Sequence, residues 1–417
     1  MRLGNEYRRI WAGNAASNLA DGITFVVIPL LAAHVTHNPR AIAALDVVYA
    51  LPRILAVLGI GVLVDRTDRK RLLHASNFAL AALFAILCAV RAADVLSMPI
   101  LYAVFGTVGL VRTLADSSAF AVLPQAVSPE DLDRANSQIT ATQIVLDEFI
   151  GPPIGGLLFA TAAFLPLIIN VLAFCAAGLC YLALRGDYTV PTTEARPDRT
   201  VLTDIKEGFS WMRGNRTVLL LTVVGALASI GYMIPFSCLV LYASHVLGLN
   251  AAGYGLLLSA SSLGGLAGSW AAGRLRPRIG YGWSIVAALA LGSAAFIVVS
   301  ATTNVVVVAV ALAAYMCHAV VWNVLASSVR QKMVPMEVMG RVGSVSRLLG
   351  LTGLAVGALG GGWLAGAFGL RTPFAVAASL FAVASLLCVG NLKQLRAWER
   401  STAEAAPASV VEAAAES

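Results

Sequence analysis

Two segments 207 residues apart carry one residue skeleton. Val127, Glu130, Arg134 and Ser137 recur as Val334, Glu337, Arg341 and Ser344, each followed by an apolar run. A second echo lies at nearly the same offset, where Gly61-Val-Leu-Val-Asp65-Arg66-Thr-Asp68-Arg69-Lys70-Arg71 is answered more weakly by Gly273-Arg-Leu-Arg276-Pro-Arg278. The chain therefore reads as one unit written twice, and each copy must be able to bury the same pattern of faces.

The solvent for those faces is lipid. Hydrophobic residues make up 59% of the chain and charged residues 12%, far from the soluble balance. Spans of about 20 apolar residues fall at 9–33, 41–64, 72–92, 97–123, 138–160 and 163–184, then at 217–245, 251–273, 282–301, 304–328, 343–366 and 372–391. These are spans 1 to 12 below. The expected fold is thus an all-α membrane protein of twelve transmembrane helices in two pseudo-symmetric six-helix halves, 1–184 and 217–400. Residues 185–216, with Pro191, Pro197, Asp198 and Lys206, read as a cytoplasmic linker, partly helical around Asp204 to Trp211. Residues 401–417, rich in Ala, Ser and Glu, read as a disordered tail.

The basic residues test this layout. With the N-terminus inside, 23 Lys and Arg fall on the cytoplasmic side, and only Arg40, Arg91 and Arg371 fall outside. That asymmetry is what the positive-inside rule requires, and it places both termini in the cytoplasm of a bacterial inner-membrane protein. The net charge of +7 then follows from topology, and a nucleic-acid partner is not needed to explain it. No small-residue cleavage site follows the first apolar run, which is broken by Asn14, Asn18 and Asp21, so no cleaved signal is expected.

Enzyme and cofactor readings find little footing. All six cysteines fall inside spans without a CxxC pair, and no Gly-rich phosphate loop follows a strand. His34 and His37 have no third ligand nearby in sequence, so no metal and no cofactor are expected.

The loop between spans 2 and 3 carries a family pattern. Gly61-x-Leu63-x-Asp65-Arg66-x-x-Arg69-Lys70-Arg71 resembles motif A of the major facilitator superfamily. Asp68 stands where that motif usually has Gly, as in the branch of macrolide efflux proteins and the enterobactin exporter. In physical terms Gly61 permits close helix approach. Asp65 can accept from a neighbouring helix N-terminus and from Arg69, locking the cytoplasmic side. Arg66, Lys70 and Arg71 can also meet anionic lipid headgroups. In span 5, Gly151-Pro152-Pro153-Ile154-Gly155-Gly156 resembles the closing Gly-Pro-x-x-Gly-Gly of the family's antiporter motif, which is associated with export. Its upstream glycine positions hold Asp147 and Gln138, so a plain packing kink stands beside export as a reading. The resemblance implies a central site between two halves that rock about it.

Charge placed deep in the membrane costs about 2.5–3.5 kcal/mol per residue and normally faces a wet cavity or a partner. Asn14, Asn18 and Asp21 share one face of span 1. Arg53 lies in span 2, Arg112 and Asp116 in span 4, Asp147 and Glu148 in span 5, and His318 and Trp322 in span 10. Four carboxylates then meet two arginines, and an unpaired carboxylate in low dielectric binds a proton readily. Asp21, Asp147 and Glu148 are therefore the candidates for proton coupling, with Arg53 as counter-charge. Arg112 and Asp116 suit an intrahelical pair, while Asn14, Asn18, Arg112, Asp116, His318 and Trp322 are candidate cavity and substrate contacts.

These features together describe a secondary active transporter acting as a monomer. It is expected to export an amphiphilic small molecule, such as a drug or siderophore, in exchange for protons. An inward proton contributes ~2.3 kcal/mol per 100 mV. An uptake permease and a non-transporting membrane sensor are the alternatives; the surplus of buried carboxylates speaks against the sensor, in which they would only cost stability.

Overall fold

The computed structural model describes residues 4–57, 67–186, 188 and 201–404. Among these, ten helices are long and apolar enough to cross a membrane. One of them, Ala251–Ala301, has 51 residues, about 77 Å at 1.5 Å per residue and far longer than a bilayer core. It is two helices merged across Gly280, whose φ of 76° breaks the helix where the echo Gly273 to Arg278 ends. Spans 8 and 9 thus meet at a residue that only glycine adopts at low cost. Span 2 appears as Pro39–Val57, and its expected C-terminal end lies outside the described residues. In their described residues the twelve sequence spans each overlap a helix or helical segment, and no strand occurs among the described residues.

Span 5 is the most irregular. Helix Leu132–Gln143 passes into a π-helical turn, Ile144–Ile150, and then into helix Gly151–Thr161. Pro152 and Pro153 have no N–H to offer the carbonyls one turn back, so the ladder shifts register, and the Gly151 N–H reaches the Leu146 carbonyl instead. This wider turn carries Asp147 and Glu148.

Small residues decide which spans touch. A side chain at Gly22 would run into the Asp147 backbone, and one at Gly155 into the backbone of Ile23, so span 5 lies directly on span 1. Gly156 faces Ala251 and Gly255 of span 8, and Gly362 of span 11 faces Ala43 and Arg40 of span 2. Spans 5 and 8, and spans 2 and 11, therefore join the first six spans to the last six through backbone contact.

Beyond the spans, helix Val201–Gly214 is tied to span 11 by Glu207, whose Oε2 lies 2.8 Å from Arg341 Nη1. The last helix, Leu392–Glu404, extends past Arg400, and residues 405–417 lie outside the described residues. All six cysteines are free thiols.

Candidate functional site

Two adjoining cavities, of about 580 and 550 Å³, open between the first six spans and the last six. Asp147 and Tyr232 line both, so together they form one central chamber. It extends toward the ends of the spans nearest Asn136, Arg330 and Ser346, the Arg-rich side of the chain, while the Gly156–Gly255 and Gly362–Ala43 contacts close the opposite side.

The polar face of span 1 forms as its spacing requires. Asn18 Nδ2 donates to Asn14 Oδ1 at 2.7 Å, and Ser17 Oγ accepts from Arg112 Nη1 at 2.6 Å. Arg112 is the hub: its Nη2 lies 2.5 Å from Asp21 Oδ2, and its Nε lies 3.0 Å from Asp116 Oδ1, one turn along span 4. Asp21 Oδ2 accepts no aligned hydrogen bond, so the Asp21 contact is held by charge alone. Because Gly22 packs on the π turn of span 5, Asp147 is brought beside this network.

The counter-charge expectation needs correction. Asp21 pairs with Arg112 and not with Arg53, whose guanidinium lies over the Tyr49 ring at 5.2 Å. Sequence distance gave no way to choose between two arginines on different helices; helix packing made the choice. Glu148 points instead into the cavity shared with His318 and Trp322. His318 is 1% exposed, packs against Phe381 at 4.9 Å and Tyr315 at 5.4 Å, and leaves Nδ1 without a partner.

A fifth carboxylate, Asp46 of span 2, lines the chamber and was missing from the sequence inventory. Its signal was legible: an Asp inside an apolar run, between Leu45 and Val47. Tyr232, Phe236 and Tyr254, from the last six spans, line the same cavity.

Of the motif in the loop between spans 2 and 3, Gly61, Asp65 and Arg66 lie outside the described residues. Arg69 Nη1 donates to the Ala121 carbonyl at 3.3 Å, linking the start of span 3 to span 4. Asp68, the departure from the family pattern, is the N-cap of span 3: its Oδ1 accepts from Lys70 N at 2.9 Å and Arg71 N at 3.2 Å. Its Oδ2 lies 3.3 Å from Arg71 Nε. In the antiporter segment, Gly151 and Gly155 meet span 1, Gly156 meets span 8, and the Pro152 carbonyl also faces Gly255. At the closed side the His37 and His245 rings approach to 5.3 Å, and no cluster of three metal-ligating side chains occurs among the described residues.

Similarity to known proteins agrees with this architecture. The chain is 30% identical to the multidrug efflux pump Tap of Mycolicibacterium fortuitum over 274 residues, 60% of this chain and 62% of that protein. It is 25% identical to macrolide efflux protein A of Streptococcus pyogenes, over 55% of this chain and 56% of that protein. The matched stretch thus spans about three-fifths of these relatives. The enterobactin exporter EntS of Salmonella paratyphi A is 23% identical over 94% of both chains. Among solved structures, a bacterial homologue of the iron transporter ferroportin in an inward-facing state superposes with a TM-score of 0.75 at 16% identity, covering 94% of this chain and 99% of that one. The nucleoside transporter NupG gives 0.77 at 11% identity, covering 93% and 99%. At these identities the structures speak for the fold alone. The family model of the Major Facilitator Superfamily matches residues 10–351, and with its apolar spans and central chamber this chain belongs to that superfamily, as a multi-pass membrane protein.

Proposed function

We propose that the protein is a proton-coupled exporter that exchanges inward-moving protons for an amphiphilic small molecule. The observation that carries this reading is the stoichiometry at Arg112, where one guanidinium serves two carboxylates, Asp21 and Asp116, with Asp147 close by. One cation cannot neutralise both acids in a low-dielectric chamber, so a proton is the cheapest third party. Protonating Asp21 releases Arg112 to Asp116 alone and loosens span 1 from span 4. A state change in a proton-coupled carrier needs such a two-way partner exchange.

On this reading the chain is inserted with both termini in the cytoplasm, as its basic residues favour, and the structure is inward-facing. Residues 1–184 and 217–400 move as two halves joined by a linker at 185–216, and rocking about the Gly156–Gly255 and Gly362–Ala43 contacts alternates access. The efflux relatives and the Gly-Pro segment of span 5 favour export over uptake.

The test starts from a compound whose accumulation differs between cells lacking and overproducing the protein. In inverted vesicles, an inside-acid pH gradient should drive uptake of that compound by the parent protein. Asp21→Asn should still bind it and exchange it without energy, but lose gradient-driven accumulation. An Asp21→Asn protein that accumulates the compound with unchanged pH dependence would remove Asp21 from coupling, and accumulation driven by the opposite gradient would make the protein a symporter.

A further inference from the structure

The five carboxylates of the chamber are not equivalent. Asp21 and Asp116 share Arg112, and Asp147 lies within reach of the same guanidinium. Asp46 and Glu148 lie apart from that network, Glu148 in the neighbouring cavity with His318 and Trp322 and Asp46 in the cavity of about 580 Å³. Among the described residues Asp46 forms no hydrogen bond and no ion pair with any Lys or Arg. Arg53 is seven residues further along the same helix, about 10 Å away along the axis, and its guanidinium is engaged with the Tyr49 ring.

Three rings from the last six spans line the same cavity as Asp46: Tyr232 and Phe236 of span 7 and Tyr254 of span 8. Tyr232 packs on Phe236 with ring centroids 4.5 Å apart, and Tyr315 stacks behind both at 6.3 and 5.9 Å. The chamber as a whole is acidic, with five carboxylates against Arg53, Arg112 and Arg330. A lone carboxylate in such a place is costly unless something positive completes it. Ring faces attract cations and cover apolar bodies, and a volume of about 580 Å³ is ample for a drug-sized molecule.

We propose that Asp46 is the counter-charge for an organic-cation substrate with an aromatic or apolar body, seated between the Asp46 carboxylate and the rings of Tyr232, Phe236 and Tyr254. This deepens the exporter reading and rests on it for the role of the chamber. Division of labour follows from the geometry. The acids of the Arg112 network have a guanidinium of their own and trade it against protons, whereas Asp46 has no such partner and answers to the substrate. An organic anion of the same shape is repelled, because nothing beside Asp46 would receive it.

Tetraphenylphosphonium and tetraphenylborate separate charge from shape, since they are near-isosteric ions of opposite sign. Equilibrium binding to the full-length protein in neutral-lipid nanodiscs is the readout, so transport need not work for the test to speak. The phosphonium should bind at least about tenfold more tightly than the borate. Asp46→Asn should weaken phosphonium binding about tenfold or more, Asp46→Glu should restore most of it, and Asp21→Asn should change it little. Tyr232→Leu should weaken it several-fold while Tyr232→Phe does not, which keeps the test decisive should Asp46→Asn fail to fold. Equal binding of the two ions, or phosphonium binding indifferent to both Asp46→Asn and Tyr232→Leu, overturns the proposal. Asp46-dependent phosphonium binding in a protein that pumps nothing would retain this site and discard the exporter reading. Proton-driven pumping by Asp46→Asn with unaltered phosphonium binding would do the reverse.

Discussion

The first six spans and the last six face the same chamber with very unequal shares of its charge. Spans 1, 2, 4 and 5 supply Asp21, Asp46, Arg53, Arg112, Asp116, Asp147 and Glu148. The last six spans supply no carboxylate to the described lining: Arg330 is their charge toward the basic end, beside His318 and rings such as Tyr232, Tyr254 and Trp322, while rings such as Tyr49, Phe105 and Tyr181 line the first six spans as well. Behind the rings of the last six spans Phe296 stacks on Tyr315 at 4.3 Å and meets Phe381 at 5.8 Å, so they are backed by a packed aromatic core. A duplicated backbone therefore does not imply duplicated chemistry. In the second copy of the repeated skeleton Arg341 serves structure, through its tie to Glu207, while the chamber carboxylates come from the first six spans alone.

The largest effect should come from Arg112→Leu, which deprives two carboxylates of their partner at once. Transport should fall to background and stability in detergent should drop by about 3 kcal/mol, at the low end for a buried pair because Asp116 is half exposed. Arg53→Leu should cost under about 1 kcal/mol, because Arg53 makes a cation–π contact at an accessible site. Thermal melts of the two variants side by side decide it; equal losses would mean that Arg112 is no hub.

Next comes the seam between the two sets of spans. Gly156→Leu should abolish transport, since its side chain has only the Ala251 and Gly255 backbone to occupy. Gly155→Leu should act through span 1 instead, displacing the Asp21 face. Cross-linking across spans 5 and 8 separates the two: it should fail in Gly156→Leu and persist in Gly155→Leu. Normal pumping by both variants would reduce the Gly-Pro segment to a bend.

A smaller effect is expected at His318. If proton chemistry belongs to the carboxylates of the first six spans, His318→Leu should leave the pH profile of transport unchanged. It should cost at most about 1 kcal/mol, since loss of the hydrogen bond to the Ala288 backbone is offset by removal of a buried Nδ1 without a partner. A profile displaced along the pH axis would move part of the coupling into the last six spans.

The smallest effect concerns two equivalent helix starts. Span 3 is capped by Asp68 from its own loop, whereas span 9 is capped from a distance by Glu399, whose carboxylate accepts the backbone N–H groups of Tyr281 and Gly282, the latter at 3.2 Å. Asp68→Ala and Glu399→Gln should each cost about 1 kcal/mol. Only the second should expose the last helix to proteolysis. Equal protease resistance would show that Leu392 and Leu395, buried against span 9, hold that helix unaided.

Much of the molecule was legible in the sequence, for identifiable reasons. The apolar runs marked every span, because lipid leaves a backbone few ways to satisfy itself. Three-to-four spacing put Asn14, Asn18 and Asp21 on one face, and spacing paired Arg112 with Asp116, since both are properties of a single helix. An Asp just ahead of the run that starts at Arg69 is a cap signal of the same local kind. Partnerships between helices were a different matter. Whether Arg53 or Arg112 would reach Asp21, that Asp46 would be left facing rings from spans 7 and 8, and that Glu399 would cap a helix 118 residues earlier in the chain all depended on how the spans pack. Hydropathy and periodicity set each helix and its faces, because those forces act along one element. The pairing of charges across the chamber was settled only in the tertiary structure, where glycine contacts such as Gly22 on Asp147 bring particular backbones together and thereby choose which guanidinium meets which carboxylate.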